Sequence, residues 1–276
     1  MTASEAQLRD TRRAFDRVAA EYDGPLGNNE LVRRMRATLW RTVEALLPPG
    51  SRLLDLGCGA GIDVAHFVAR GYTVVAIDWS PAMVERTRAR IAAMGAAAHA
   101  RVETLGIQEL DRLQDGPFDG IYSDFGPLNC VPDLAPVAAA CAERLAPGGY
   151  LIATVMGRLC PWEFLYYAWR GRWGRACVRG RRGLVPVSLN QGTVWTRYYT
   201  PREFYQAFAR QFALTSYRGL NLFLPPPYLV GVCQRAPHLC AALGWLDDRL
   251  AGWPLLREAG DHFLIVLTRR ALQAPC

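Results

Sequence analysis

The stretch 53–61, Leu-Leu-Asp-Leu-Gly-Cys-Gly-Ala-Gly, sets an apolar strand directly against three glycines spaced two apart. Glycine permits backbone angles that other residues avoid and leaves the main chain open to close approach, so such a bend suits a ligand lying against backbone. A second apolar strand, Val74-Val75-Ala76-Ile77, ends in Asp78. A carboxylate at the tip of the second strand of an open α/β sheet can accept both hydroxyls of a ribose. Together the two elements point to a nucleoside-containing ligand far more specifically than either alone.

The surrounding rhythm agrees. Strand patterns at 52–56, 73–77, 101–105, 118–122 and 150–155 alternate with helical patterns at 64–70, 81–94 and 134–145. Alternation of this kind predicts a parallel sheet covered on both faces. Two helices, 7–22 and 29–47, precede it as an N-terminal flap (1–50), stopped by Pro48-Pro49-Gly50. The cofactor-binding core is assigned to 51–157. A strand at 193–198 follows, then a helix at 201–211 with Thr200 as N-cap and a strand at 214–222. The stiff connector Leu224-Pro225-Pro226-Pro227-Tyr228 leads to a helical segment at 237–256 and a last strand at 262–268, expected to run antiparallel. The fold class is therefore α/β: a Rossmann-like, mostly parallel seven-stranded sheet with helices on both faces, an antiparallel last strand and an inserted cap.

That cap is assigned to 158–200, and 201–276 to the C-terminal completion of the sheet. Between Arg158 and Arg182 seven arginines face one acid, Glu163, so the stretch holds most of the chain's net charge of +7. Its charges are interleaved with Trp162, Phe164, Tyr166, Tyr167, Trp169 and Trp173. A solvated lid, a surface for an anionic or lipid-like molecule or an acidic membrane, and a site for RNA phosphates and stacked bases are the three readings.

All 32 basic residues are arginine, which removes lysine Schiff-base chemistry and the lysine-dependent phosphate loop. The eight cysteines show no CxxC pair and no zinc spacing with the four histidines; free, buried thiols and no metal site are expected. No apolar run is long enough to span a bilayer and residues 1–10 lack an apolar signal core, so the cytoplasm is the expected location.

With these motifs in place, the chain resembles the class I S-adenosylmethionine-dependent methyltransferases of the small-molecule type. Their [hydrophobic]-[hydrophobic]-D-x-G-C-G-x-G pattern is matched residue for residue over 53–61, and Asp78-Trp79-Ser80-Pro81-Ala82-Met83 matches D-x-S-x-x-M. The resemblance implies S-adenosylmethionine as cofactor. It places Gly57, Gly59 and Gly61 in the floor with Asp55 hydrogen-bonding behind them, Asp78 at the ribose, Trp79 and Met83 beside the adenine, and Gly106 and Ile107 near the adenine amine. Phe118 through Phe125 resembles the fourth strand and its exit loop, so Ser123, Asp124 and Phe125 are expected to face the cofactor. Leu145-Ala146-Pro147-Gly148-Gly149 resembles the structural turn before the fifth strand. The sequence from Phe15 to Asp23 resembles the family's F-x-x-x-A-x-x-Y-D, which puts Tyr22 over the cofactor. From charge alone, Arg33 or Arg36 is assigned to the cofactor carboxylate. The motif-bearing likeness covers about 14–155.

A dinucleotide fold is disfavoured because the spacing is G-x-G-x-G, not G-x-G-x-x-G. Nucleic acid as substrate is disfavoured because neither an N/D-P-P-Y/F motif nor a Pro-Cys nucleophile stands at the fourth strand; Ser123-Asp124-Phe125-Gly126-Pro127 stands there instead. The expected activity is methyl transfer to an oxygen, nitrogen or carbon of a small-molecule acceptor, lipid-like or anionic. The alternatives are a cofactor-binding protein without catalysis, and an RNA methyltransferase using the arginine-rich segment. An acceptor that loses a proton needs a base, for which His238, His262, Asp124 and Tyr199 are the candidates, none placed by a motif. Oligomeric state leaves no mark in the sequence.

Overall fold

The structure is a computed structural model and describes residues 3–25, 27–190 and 192–271. Helix α1 (Ala3–Val18) is followed by α2 (Glu30–Leu46), which Asn29 caps by accepting from Leu31 N and Val32 N at 3.0 and 3.2 Å. Strands β1 (Arg52–Leu56), β2 (Thr73–Asp78), β3 (Ala100–Thr104), β4 (Phe118–Ser123) and β5 (Leu145–Met156) then alternate with α3 (Ile62–Val68), α4 (Pro81–Ala93) and α5 (Ala135–Arg144). Beyond β5 come α6 (Pro161–Trp169), α7 (Trp173–Ala176) and a separate antiparallel hairpin, β6 (Val185–Leu189) with β7 (Gly192–Thr196). The chain closes with α8 (Pro201–Phe208), β8 (Phe212–Leu220), α9 (Val230–Arg235), α10 (Pro237–Leu250) and β9 (His262–Arg269).

The main sheet has seven strands in the order β3-β2-β1-β4-β5-β9-β8. The first five are parallel, and β9 lies antiparallel between β5 and β8. This is the Rossmann-like fold expected from strand–helix alternation, with its antiparallel last strand. The strands read as apolar runs because both faces are covered. Leu54 and Leu56 of β1 face one core with Val137 of α5 and Phe204 and Phe208 of α8. Leu53 faces the other with Met35, Leu39 and Val43 of α2 and Phe67 of α3. Helix α2 is thus a layer of the sandwich, whereas α1 packs on the hairpin: Trp195 N donates to Thr11 Oγ1 at 3.0 Å, and a Cβ on Gly192 would stand 2.7 Å from that of Ala14.

Three expectations need correction. Strand β5 begins at Leu145, not 150, because Leu145 already pairs with Phe118 of β4. The helix expected over 237–256 ends at Leu250, and turns carry the chain to β9. The cysteines are not all free: Cys233 and Cys240 form a disulfide across the α9–α10 turn, Cα atoms 5.3 Å apart. Free thiols remain at Cys58, Cys130, Cys141, Cys160 and Cys177, and Cys276 lies outside the described residues. Among the described residues no helix is long and apolar enough to cross a membrane.

Beneath the arginine-rich segment lies a buried ionic knot. Arg179 donates to Glu163 Oε2 at 2.8 Å and Asp261 Oδ1 at 2.6 Å, and to the carbonyls of Gly157 and Asp261 at 2.9 and 2.8 Å. It fastens α6 to the ends of β5 and β9.

Candidate active site

The chain leaves β1 through a bend in which Gly57, Gly59 and Gly61 all have positive φ. At Gly57, with φ +88°, a Cβ would also stand 2.5 Å from Pro127, so the bend and the loop after β4 are in direct contact. Gly57 N and Cys58 N donate to Ile77 O at 2.9 and 3.0 Å, locking the bend to β2. One residue on, Gly59 N donates to Asp78 Oδ2 at 2.9 Å while Ser80 N donates to Oδ1 at 2.8 Å. These bonds fix the carboxylate, and each oxygen keeps a lone pair for a further donor. Burial pushes Asp78 up to about 6, against the stabilising N–H groups of Ser80 and Gly59. Ser80 caps α4 by accepting from Met83 N at 3.2 Å, and its hydroxyl donates to Asp16 of α1 at 2.5 Å, holding that helix over the strand tips.

A cleft opens here, roofed by α1 and β7 and enclosing about 1120 Å³ with its mouth. Trp79 and Met83 line one end, with the Arg12 guanidinium 5.8 Å from the Trp79 ring. Tyr22 closes over the bend: a Cβ on Gly59 would reach to 3.3 Å of its Cε1, so the missing side chain leaves the gap between loop and ring. Burial pushes the Tyr22 phenol up to about 12, so it stays protonated.

A buried charge cluster occupies the middle of the cleft. Arg36 of α2 has its Nε 3.1 Å from Asp63 and 3.6 Å from Asp124, with its guanidinium 5.0 Å from the Phe125 ring centre. Asp63 also accepts from Trp40 Nε1 at 2.7 Å. Asp124, at the tip of β4, accepts from Thr154 Oγ1 at 2.5 Å and Phe125 N at 3.1 Å. Burial, then the charge of Asp63, push Asp124 up to about 7, with Arg36 opposing them. Phe125 has φ +58°, a conformation costing about 1–3 kcal/mol that clusters at functional sites. Its ring, with Met156, Cys130 and Val131, forms an apolar far end. Burial pushes the Cys130 thiol up to about 12.

Of the residues singled out in the sequence, Tyr22, Arg36, Gly57, Gly59, Asp78, Trp79, Met83, Ile107, Asp124 and Phe125 line this cleft. Others stand behind it. Asp55 is buried next to Tyr122, and burial pushes it well up; no hydrogen bond from it to the glycine bend is present among the described residues. Gly61 is pressed against Thr87, Gly106 donates to Glu109 as a helix cap, and the Ser123 hydroxyl donates to Leu56 O at 2.8 Å. Arg33 is turned to Asn28 O at 2.7 Å.

Among the candidate bases only Asp124 reaches the cleft. His238 is exposed on α10, and Tyr199 packs against Phe204 in the core. His262 lies one layer back: its Nδ1 is 2.8 Å from Asp261 and its ring meets Phe125 edge-on at 5.9 Å. The sequence reading missed Asp63, Thr11, Arg12, Phe15, Cys130, Met156 and Val194, which arrive from elements that only the tertiary fold brings together. The first-turn acid of α3, two residues after the last glycine, was the one visible signal for Asp63.

A diol acceptor at Asp78, an indole and a thioether at one end, and opposite charges at Arg36, Asp63 and Asp124 suit a nucleoside bearing a zwitterionic tail. Residues 53–149 match the family model described as methyltransferase domain. The ubiquinone biosynthesis O-methyltransferase of Xanthomonas axonopodis pv. citri is 34% identical over 113 residues, 41% of this chain and 46% of that protein. The match spans under half the length of that curated relative. Among solved structures, the 1,6-didemethyltoxoflavin-N1-methyltransferase of Burkholderia thailandensis aligns with a TM-score of 0.61 at 16% identity, over 98% of this chain and 92% of that one. The N-methyltransferase NodS of Bradyrhizobium japonicum aligns at 0.59 and 15%, over 95% and 100%. At these identities the likeness is one of fold.

Proposed function

We propose that this chain, whose segment 53–149 matches the methyltransferase-domain model and whose sheet has the class I fold, transfers a methyl group from S-adenosylmethionine to an oxygen of a small, largely apolar acceptor. The observation that carries this reading is Asp78, a half-buried carboxylate fixed by Gly59 N and Ser80 N at the mouth of a glycine bend. Asp78 accepts from the ribose hydroxyls, Trp79 and Met83 flank the adenine, and Arg36 with Asp63 holds the amino-acid end. The oxygen acceptor is supported by the name of the relative matched over 113 residues and by the apolar lining at Phe125, Met156 and Val131.

When bound, the cofactor supplies a methyl group already attached to a good leaving group. What remains for the protein is alignment and exclusion of water. Tyr22 and the α1 roof close the cleft over the glycine bend, and Phe125 and Met156 orient the acceptor. Asp124 takes the acceptor's proton: it stands in the cleft, its position is set by Thr154 and Phe125 N, and burial raises it to about 7, where a base serves best at neutral pH.

The test is a labelled-methyl transfer screen over phenols, amines, carboxylates and lipid-like acceptors. Label on a phenol or other hydroxyl is expected. Cofactor binding with no transfer to any acceptor class contradicts catalysis, and label only on nitrogen contradicts the assigned atom.

A further inference from the structure

We propose that the outer face of α6 and α7 seats on an anionic lipid bilayer. The single carboxylate between 158 and 182, Glu163, is turned inward, where it accepts from Arg179 at 2.8 Å and from the Tyr228 hydroxyl at 2.7 Å. Arg158 pairs with Glu203 at 3.2 Å. Among the described residues, no carboxylate pairs with Arg170, Arg172, Arg175, Arg181 or Arg182, so no acid of this segment offsets their charge.

Large apolar side chains stand among those arginines. Trp169 is 84% exposed, Leu165 64%, Trp173 61% and Phe164 45%. Leu165 and Trp169 are four residues apart on α6 and so share one side of the helix. Tryptophan rings settle at the level of lipid headgroups, and neighbouring arginines are drawn to acidic phospholipids. Just before α6, Leu159 O accepts from Gly260 N at 2.8 Å, and the turn leading to Gly260 carries the exposed Trp253 and Leu255.

Other occupants fit less well. A two-fold contact with a second copy would set uncompensated arginines against their own kind. Single-stranded RNA would find Trp169 and Trp173 to stack on, but Arg170 lies 4.1 Å over the Tyr166 ring and Arg175 5.7 Å over Tyr167, and the exposed Leu165 offers no stacking surface. The docking face and the cleft share the same end of the sheet, because Arg179 holds α6 at Gly157, next to the cleft residue Met156.

The experiment is co-sedimentation of the full chain with phosphatidylcholine vesicles, with and without about one-third phosphatidylglycerol, and needs no cofactor. Partition at least about tenfold stronger onto the anionic vesicles is expected, lost in high salt. Both Arg170→Gln/Arg172→Gln/Arg175→Gln and Trp169→Ser/Trp173→Ser should lower it roughly tenfold while thermal unfolding and S-adenosylhomocysteine affinity stay as in the parent. Equal partition onto neutral and anionic vesicles, or variants that bind like the parent, overturns the proposal. So does a dimer in sedimentation equilibrium that the tryptophan variant dissolves, or RNA binding that the arginine variant loses without any vesicle binding. Since vesicle partition is read without the methyl donor, failure here leaves the methyltransferase reading standing, and the reverse.

Discussion

The amide of Gly59 donates to Asp78 Oδ2 at 2.9 Å, joining the glycine bend after the first strand to the acid at the tip of the second. The two motifs are therefore one structure, and losing the acid disturbs both the diol contact and the loop. Asp78→Ala is expected to weaken S-adenosylhomocysteine binding at least tenfold, since hydrogen bonds to a charged group contribute roughly 1.5–3 kcal/mol. Calorimetric titration measures it.

The same carboxylate sets a pH dependence. Asp78 is pushed up to about 6 and accepts fully only when ionised, so cofactor affinity falls as pH drops through about 6. Titrations between pH 8 and pH 5 should show that loss in the parent and not in Asp78→Asn.

Gly57 is constrained twice, by φ +88° and by Pro127 at 2.5 Å from the missing Cβ, whereas Gly95, φ +65°, faces open space. Gly57→Ala should therefore cost more than Gly95→Ala, by about 1–3 kcal/mol for the displaced loop. Urea unfolding of the two variants compares them directly.

Asp124 is pushed up to about 7 and turnover should rise with pH through that value as it loses its proton. Asp124→Asn is expected to lower kcat at least tenfold and abolish this rise. A rise retained in the variant would assign the proton to another group.

Arg179→Met strands two buried acids, Glu163 and Asp261, and breaking such a pair costs about 3–5 kcal/mol. Although burial opposes it, His262 and Arg179 hold Asp261 well below the ordinary carboxylate range. A depressed acid contributes its stability above its unfolded value and loses it as pH falls through the folded one. The gap in unfolding free energy between parent and variant should thus shrink below about pH 4.

Much of this was legible in advance where the signal is local. The strand at 52–56, the glycine bend and Asp78 are neighbours in the chain; their spacing pointed to a nucleoside-containing ligand, and the resemblance assigned the floor to the glycines. The roof was not. Thr11, Arg12 and Phe15 of α1 reach the cleft only because Ser80 bonds Asp16 and Trp195 bonds Thr11, contacts across 64 and 184 residues. The Arg36–Asp63–Asp124 cluster draws one charge from each of three elements, so no motif could announce it. For Asp55 the resemblance implied a hydrogen bond behind the bend; its side chain is buried beside Tyr122. Within 158–182 composition showed the charge, and only the fold separated the inward Glu163 and Arg179 from the outward arginines.

The most direct test is the structure of the chain bound to S-adenosylhomocysteine. The account predicts both ribose hydroxyls on the Asp78 carboxylate, the adenine between Trp79 and Met83, and the amino-acid end at Arg36 and Asp63. Ligand bound elsewhere, or a cleft that stays empty at saturating ligand, would contradict it.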